Sequence, residues 1–190
     1  MPFDAMTDIS DDALLVLYGN GDKAAAAALT ARLTPMVYRL SKRLLGNATE
    51  AEDVTQEAML KLWKMAPDWR QGEAKVSTWL YRVTSNLCLD RLRKGKTAAL
   101  DDIAEPVDET PGMDARLQGA SRAEALESAL QALPERQRQA VVLRHLEGLA
   151  NPDIAGIMDL SIEAVESLIA RGKRTLAARL APRKEELGIA

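Results

Sequence analysis

Residues 99–118 interrupt the hydrophobic pattern of this chain and so limit what the rest of it can fold into. The segment holds six acidic residues and one basic residue, together with Pro106, Pro111 and Gly112, and it has neither a helical nor an alternating hydrophobic period. Such a composition is typical of a flexible connector rather than of part of a packed core. We therefore expect two small domains, residues 1–96 and 119–190, joined by a flexible acidic linker over residues 97–118.

On both sides of this segment the apolar residues follow a helical period. They recur at three- and four-residue intervals among strong helix formers, and the β-branched residues form no alternating runs. We expect a kink or a break at Pro35, which removes a backbone donor. The fold class is therefore predicted to be all-α. The expected helices cover residues 10–17, 23–45, 49–65, 78–94, 121–132, 134–146, 151–158 and 161–180.

The formal net charge of -3 is distributed unevenly. Residues 1–98 carry 14 basic and 12 acidic residues, and residues 119–190 carry ten of each, so the overall acidity belongs to the expected linker. A weakly acidic total therefore does not exclude nucleic acid as a partner of either domain. With only 4% aromatic residues, the core is expected to be aliphatic.

The composition excludes several kinds of site. Cys88 is the single cysteine and His145 the single histidine, which rules out a disulfide framework and a four-ligand Cys/His zinc site. We expect His145 to be structural or a surface residue, and a redox role for Cys88 is only weakly supported. No apolar run approaches the roughly 20 residues of a membrane span, and the acidic N-terminus lacks the basic start of a secretory signal. We expect a cytoplasmic protein with no membrane insertion, cofactor, metal or catalytic centre.

Residues 151–174 have the spacing of a helix-turn-helix. A short helix with Ile154 and Met158 facing inward leads to a tight turn, in which Ser161 is placed to cap the next helix. The face of that second helix opposite the core carries Ser167, Arg171 and other polar residues, which are types that contact base edges and phosphates in the major groove. A helical wheel groups Ile162, Val165, Ile169, Gly172 and Leu176 on its apolar face.

Two segments of the first domain have contrasting charge. Residues 50–57 contain four acidic residues and no basic one. Acids are favoured near a helix N-terminus, which accounts for Glu50 through Asp53 but less well for Gln56 and Glu57. Residues 79–96 carry five basic residues and one acid, and such a surface suits the phosphates of a nucleic acid.

Together, residues 50–63, 77–94 and 133–176 resemble bacterial RNA polymerase sigma factors. The first segment resembles the polymerase-binding helix of that family, the second the helix that reads and opens the minus-ten promoter element, and the third the domain that reads the minus-thirty-five element. The two-domain length resembles the extracytoplasmic-function (ECF) group. The resemblance implies an alternative sigma factor that directs promoter-specific initiation, with core RNA polymerase, promoter DNA and an anti-sigma factor as partners.

The resemblance also implies roles for individual residues. It places polymerase contacts at Asp53, Gln56 and Glu57. It places minus-ten contacts at Trp69, Arg70, Arg82, Asn86, Arg91, Arg93 and Lys94, and it implies that the Asn86 amide receives a flipped base. It places minus-thirty-five contacts at Glu163, Glu166, Ser167, Arg171, Lys173 and Arg174. The acidic linker is implied to thread toward the active-site and RNA-exit channels of the polymerase.

Two departures from the family pattern leave alternatives open. Glu166 and Leu168 stand where family members often carry basic residues. Glu166 either accepts a hydrogen bond from a cytosine amino group or repels phosphates, and Leu168 is expected to pack. A sigma-like protein that binds polymerase or an anti-sigma factor without initiating is a second interpretation. A helix-turn-helix regulator of another family is a third, and it fits residues 134–180 but not the motif at 50–63.

Overall fold

The computed structural model describes residues 6, 8–70, 72, 74–101 and 117–183, with side chains described through residue 95 and again from 123 to 182. Every regular element in these ranges is helical, which confirms the predicted all-α class. The helices are α1 Asp11–Gly19, α2 Lys23–Leu45, α3 Ala48–Met65, α4 Val76–Asp101, α5 Leu117–Gln131, α6 Glu135–Val141, α7 Asn151–Met158 and α8 Ile162–Leu180. Short 3-10 turns follow α3 and α8, and a π-helical turn, Val142–Leu146, continues α6.

The helices on either side of the expected linker are longer than the sequence pattern predicts. Helix α4 continues to Asp101 rather than ending near residue 94, and α5 begins at Leu117 rather than near residue 121. The remainder of the predicted linker, residues 102–116, lies outside the described residues.

Polar side chains begin four of the helices by accepting hydrogen bonds from backbone N–H groups of the first turn. Ser10 accepts from Ala13 at the start of α1, and Ser161 accepts from Ala164 at the start of α8. The side chains of Asp22 and Asn47 cap α2 and α3 in the same way. Because the first four N–H groups of a helix have no partner within it, these caps fix where each helix begins.

Helix α2 is continuous through Pro35, so the expected kink or break is not observed. On either side of Pro35, Leu33 and Val37 are 3% and 0% exposed. Their burial in the first bundle outweighs the one backbone hydrogen bond that proline cannot donate. Helix α2 ends instead at Gly46, whose φ of 71° is a left-handed conformation that glycine adopts without strain.

Helices α1 to α4 form a bundle around an aliphatic core. Leu15, Leu29, Leu62 and Leu80 are fully buried at its centre, one from each helix. The ring of Trp63 packs edge-on against Tyr18, with ring centroids 4.8 Å apart. Trp63 and Trp79 lie against this core, so both rings contribute to its packing.

A second core is formed by α5 to α8, and it continues onto the first bundle. Ile154, Val165 and Val142 are completely buried within it. The same cluster includes Leu44 of α2 and Cys88 of α4. The two domains therefore pack against one another in this structure, an arrangement that no local sequence pattern predicts.

Candidate functional site

The acidic face of α3 is exposed along its length. Asp53 and Gln56 point away from the bundle, and Glu57 is half-buried. The opposite face carries the buried side chains of Val54 and Leu62, so the helical period itself directs the polar face outward. All three residues predicted to contact polymerase thus lie on one surface.

Leu60 extends this surface by one turn, and sequence reasoning did not identify it. Its side chain is 58% exposed, and it follows Gln56 at a spacing of four residues. The signal for it was an apolar residue on the polar side of the helical wheel. A protruding leucine beside carboxylates suits a partner surface that is basic with an apolar centre.

Arg91 links the acidic face of α3 to α4. Its guanidinium lies 3.5 Å from the Asp53 carboxylate and 3.9 Å from that of Glu57. Ion pairs between exposed groups are worth about 0–1 kcal/mol, so both carboxylates can exchange Arg91 for another cation. The structure therefore brings a predicted DNA contact against two predicted polymerase contacts.

The basic residues of α4 form a stripe with Asn86 at its middle. Arg82, Asn86 and Arg93 are exposed and follow one another at spacings of four and seven residues, which places them on one face. Lys94 is exposed next to Arg93. The Asn86 amide therefore stands between two guanidinium groups, where a nucleotide could place a base on the amide and its phosphates on the arginines.

A cleft of about 360 Å³ borders this stripe. One wall belongs to α4, and the other belongs to α6 and α7 of the second domain. Its lining consists of Arg82, Asn86, Leu89, Asp90, Arg93, Arg136, Gln139, Ile157, Met158 and Asp159. The face of α4 that was predicted to contact the minus-ten element thus lies opposite the second domain.

The loop after α3 is more buried than its predicted role requires. Trp69 is half-buried and packs against the core of the first bundle, with its indole Nε1 enclosed and unpaired. Arg70 is exposed beside it. Of this pair, Arg70 is the side chain free to reach a DNA strand, whereas Trp69 principally positions the loop.

Helices α7 and α8 have the geometry of a helix-turn-helix. Helix α7 ends at Asp159 in a left-handed conformation with φ of 54°, and Leu160 donates back to the carbonyl of Ala155. Behind α8, Val165 and Ile169 are buried. All six predicted minus-thirty-five residues are exposed on α8: Glu163, Glu166, Ser167, Arg171, Lys173 and Arg174.

Several of these side chains are already oriented by their neighbours. Arg171 donates to the Ser167 hydroxyl over 2.8 Å, and the Asn151 amide donates to the Glu166 carboxylate over 3.3 Å. Backbone and Ser161 hydrogen bonds lower the pKa of Glu163 at the N-terminus of α8, so Glu163 acts with the cap. Leu168, the apolar departure, packs against the second core as expected.

Ile162 and Gly172 share the apolar face of the helical wheel, but the structure places them in different surroundings: Ile162 is exposed and Gly172 is buried. Ile162 is 41% exposed, because the first turn of α8 projects beyond the packed surface. At Gly172, an ideal Cβ would lie 2.5 Å from Cγ2 of Val141. A hydrogen at this position lets α8 approach α6 closely, which fixes the angle at which the recognition face is presented.

Polar side chains also cross between the domains. Glu147, at the end of the π-helical turn, has a side chain that is 3% exposed. Arg43 of α2 donates to one of its oxygens over 2.5 Å, and the Tyr81 hydroxyl donates to the other over 3.0 Å. Burial raises the pKa of Tyr81, and so does the neighbouring Glu147 carboxylate. Sequence reasoning missed all three residues, since Arg43 and Tyr81 are 104 and 66 positions away from Glu147.

The structure gives no support to chemistry at Cys88 or His145. Cys88 is completely buried, and that burial raises the pKa of its thiol to about 12, which leaves it protonated and unreactive. Partial burial lowers the pKa of His145, and the nearby positive charges of Lys173 and Arg144 lower it further.

Among the described residues no cluster of His, Cys, Asp and Glu could hold a metal ion. Within the same ranges no helix combines the length and apolar composition that a membrane crossing requires.

Comparison with known proteins supports the division into two units. The Sigma-70 region 2 family matches residues 29–97, and the Sigma-70, region 4 family matches residues 123–176. In the structure, the first match covers most of α2, all of α3 and most of α4, and the second covers α6 and α7 with most of α5 and α8. The acidic face of α3 and the stripe on α4 therefore belong to the first match, and the face of α8 to the second.

Relatives of known function match almost the whole chain. ECF RNA polymerase sigma factor SigE of Mycolicibacterium smegmatis is 34% identical over 178 residues, which cover 90% of this chain and 68% of that protein. ECF RNA polymerase sigma factor SigM of Mycobacterium tuberculosis is 34% identical over 171 residues, 88% of this chain and 83% of that protein. SigW of Bacillus subtilis is 29% identical over 171 residues, 84% of this chain and 91% of that protein.

Two solved structures share the fold. The sigma factor RpoE, solved with the anti-sigma factor NepR from Bartonella quintana, has a TM-score of 0.66 at 22% identity over 80% of this chain and 94% of RpoE. CnrH, solved with the cytosolic domain of CnrY, has a TM-score of 0.68 at 24% identity over 90% of this chain and 97% of CnrH. With both family regions matched and relatives 34% identical across most of its length, the chain belongs to the extracytoplasmic-function (ECF) subfamily of bacterial RNA polymerase sigma factors.

Proposed function

We propose that this chain binds core RNA polymerase in the cytoplasm through the exposed face of α3 and directs initiation at a promoter that it reads with α4 and α8. The observation that carries the proposal is the placement of three separate polar faces on the two matched regions, each directed outward by a buried apolar face behind it. The chain acts as an initiation factor and contributes no catalytic group of its own.

On α3, Asp53, Gln56 and Glu57 contact a basic surface of the polymerase. Their exposure and the weak pairing of the two acids with Arg91 support this role. Leu60 adds apolar contact on the same surface. Because aromatic and apolar anchors dominate interface energies while rim charges steer association, both kinds of residue are needed.

At the minus-ten element, Asn86 receives a base lifted from the opened strand. Its amide offers a donor and an acceptor to the base edge, and its neighbours supply positive charge for the phosphates. The phosphate contacts are Arg70, Arg82, Arg91, Arg93 and Lys94, with Trp69 holding the loop.

At the minus-thirty-five element, α8 enters the major groove of duplex DNA. Ser167 faces base edges, with Glu166 held beside it by Asn151, and Arg171, joined to Ser167 by a hydrogen bond, contacts both base edges and phosphates. Lys173 and Arg174 contact phosphates, and Glu163 supports the cap. An anti-sigma factor controls this activity, a role supported by the sigma factor RpoE of the same fold, which was solved with the anti-sigma factor NepR.

Transcription from genomic DNA tests the proposal. Core polymerase is incubated with genomic fragments from the source organism, with and without the chain, and the 5′ ends of the transcripts are mapped. We expect a small set of start sites that share upstream elements and appear only when the chain is present. If no chain-dependent start site is found while the chain still binds core polymerase, the protein does not initiate and the proposal is wrong.

A further inference from the structure

Helix α8 carries its acidic and its basic residues at opposite ends. Glu163 and Glu166 lie in the first two turns of the helix. The exposed basic residues follow in the later turns: Arg171, Lys173, Arg174 and Arg179. In a helix-turn-helix, the first residues of the second helix reach the base edges. The acids of α8 therefore belong to the end that meets bases, and most of the positive charge is left for phosphates.

We infer that Glu166 and Ile162 set the sequence preference of α8. The Glu166 carboxylate accepts a hydrogen bond from the amino group of a cytosine, and Ile162 packs on the methyl group of a thymine within two base pairs of it. Asn151 is the positioning residue that holds Glu166. The inference names the bases that α8 reads, and it therefore rests on the proposed function.

The Glu166 carboxylate is oriented by the first helix of the motif. Nδ2 of Asn151, at the start of α7, donates to Oε1 of Glu166 over 3.3 Å. The Oδ1 of the same amide is enclosed by protein, and turning the amide around would set this oxygen against the carboxylate. The hydrogen bond restricts a side chain that otherwise has many rotamers. Within the described residues Oε2 of Glu166 accepts no hydrogen bond, so one oxygen is left for a base.

The chemistry of a carboxylate favours cytosine. An ionised carboxylate accepts hydrogen bonds and donates none, and the donors in the major groove are the amino groups of cytosine and adenine. Adenine places the N7 acceptor beside its amino group, where it repels a carboxylate, whereas cytosine has no acceptor on its major-groove edge. Glu163 is engaged at the cap with Ser161. Glu166 is thus the carboxylate available to read a cytosine.

Ile162 supplies an apolar surface beside Glu166. Its side chain is 41% exposed, whereas Val165 and Ile169 of the same helix are buried. Ile162 precedes Glu166 by four residues, so the two side chains are neighbours about 6 Å apart along the helix axis. Because base pairs are about 3.4 Å apart, the two residues reach positions no more than two steps from one another. The apolar group on the major-groove edge of DNA is the methyl group of thymine.

Selection of DNA by the holoenzyme tests the contact of Glu166. Core polymerase carrying the full chain selects from fragments of a mapped promoter whose upstream element is randomised, and the bound fragments are sequenced. For the wild-type chain we expect a preferred cytosine with a thymine within two positions of it. Glu166→Gln should lower the preference for that cytosine about tenfold and shift it toward adenine, the base that a glutamine amide pairs with best. Glu124→Gln removes the same charge from an exposed residue of α5 and should keep the wild-type preference.

Asn151→Ala tests the positioning of Glu166. We expect the preference for cytosine to fall a few-fold at that position alone, with every other position of the element selected as before. A purely structural role of Asn151 would instead weaken binding to all sequences equally. Far-UV circular dichroism verifies that each variant retains its helices.

Replacement of the selected thymine by uracil tests the contact of Ile162, since it removes only the methyl group. The wild-type holoenzyme should bind the uracil fragment about threefold more weakly, as expected for the loss of one buried methyl group. The Ile162→Ala holoenzyme should bind the two fragments equally. Fluorescence anisotropy of labelled fragments measures both affinities.

The outcomes separate this inference from the function on which it rests. An unchanged preference in Glu166→Gln, or tighter binding of that variant to every sequence, would show that Glu166 only repels phosphates and would overturn the inference. Equal sensitivity to uracil in the wild type and Ile162→Ala would overturn the assignment of Ile162. In both cases promoter-dependent initiation stands. A chain for which no promoter can be mapped contradicts the proposed function, and the inference fails with it.

Discussion

Helices α4 and α8 both carry a polar face that we propose contacts DNA, but they differ in what lies opposite that face. The residues of α8 point into solvent, and the helix is held by contacts within its own domain, where Val165 and Ile169 are buried. The stripe on α4 borders a cleft whose far wall is the second domain. Behind α4, Cys88 belongs to a core that both domains share.

This difference shows that the exposure of the two faces is controlled in different ways. The face of α8 is held by contacts within its own domain and does not depend on the relative position of the domains. The stripe on α4 is exposed, but the space in front of it is bounded by the second domain. The proposed minus-thirty-five face is therefore organised by local packing, whereas the surroundings of the proposed minus-ten face depend on the domain arrangement.

Gly172→Ala is the strongest test of the local packing of α8. The new Cβ would lie 2.5 Å from Cγ2 of Val141, so α8 must move away from α6. Overpacking of this kind costs about 1–3 kcal/mol, and the better helix propensity of alanine offsets about 0.5–1 kcal/mol of that cost. We expect a net loss of about 1–2 kcal/mol in the free energy of unfolding, measured by urea denaturation.

Gly156→Ala is the matched control for that substitution. Gly156 is an exposed glycine in α7, and a Cβ there meets nothing within 4 Å. Since alanine is the better helix former, Gly156→Ala should stabilise by about 0.5–1 kcal/mol. Two substitutions with shifts of the same sign would contradict the close approach of α8 to α6.

The features that depend only on residues close together in the sequence are the ones that the sequence predicts. Ser161 caps the helix that it was expected to cap, and the apolar period places Val165 and Ile169 inside. The exposure of Ile162 was not foreseen, because a helical wheel does not represent the end of a packed surface. Continuity through Pro35 was missed as well, since it depends on packing with other helices.

The contact between domains has no local signal at all. Arg43 and Glu147 are 104 positions apart, and each lies in a segment that is expected on its own to have charged residues at the surface. Their pairing follows only from the way the two bundles meet. Candidate contacts on α3 and α8 could therefore be predicted from the sequence, whereas the pairing of Arg43 with Glu147 between the domains could not.

Asn86→Ala tests the face of α4 directly. Loss of a base-edge contact is worth about 1–3 kcal/mol, so we expect roughly a tenfold or greater fall in initiation at the mapped promoters. Permanganate reactivity of thymines in the minus-ten element should fall with it, while core polymerase binding is unchanged. Asn20→Ala, at another exposed asparagine, is the control. Unchanged strand opening would remove Asn86 from the site.

A smaller effect concerns how the free energy of unfolding depends on pH. The core behind α4 contains the titratable thiol of Cys88, whereas Val165 and Ile169 behind α8 do not titrate. Burial raises the pKa of Cys88 from 9.0 to about 12, so above pH 9 the unfolded thiol loses a proton that the folded one keeps. Its contribution to stability is complete below pH 9 and is lost as the pH rises, by about 1 kcal/mol at pH 10.

Urea denaturation at pH 8, 9 and 10 measures this contribution as a difference between two proteins. The unfolding free energy of the wild-type chain should fall more steeply with pH than that of Cys88→Ala, which lacks the thiol. The residues behind α8, Val165 and Ile169, have no group that titrates. Parallel curves for the two proteins would contradict the burial of Cys88.

The smallest expected effect concerns how α8 holds its own side chains. Arg171→Ala removes a charge from the DNA-facing surface, and with it about one unit from the slope of log affinity against log salt, measured for the holoenzyme on a promoter fragment. Ser167→Ala keeps that charge but removes the 2.8 Å hydrogen bond that orients it. It should weaken binding by a few-fold at most, about 0.5–1.5 kcal/mol, without changing the slope. If both variants change the slope equally, Ser167 does more than orient Arg171. If neither variant changes the slope, Arg171 lies away from the phosphates, and the phosphate contacts of α8 are limited to Lys173 and Arg174.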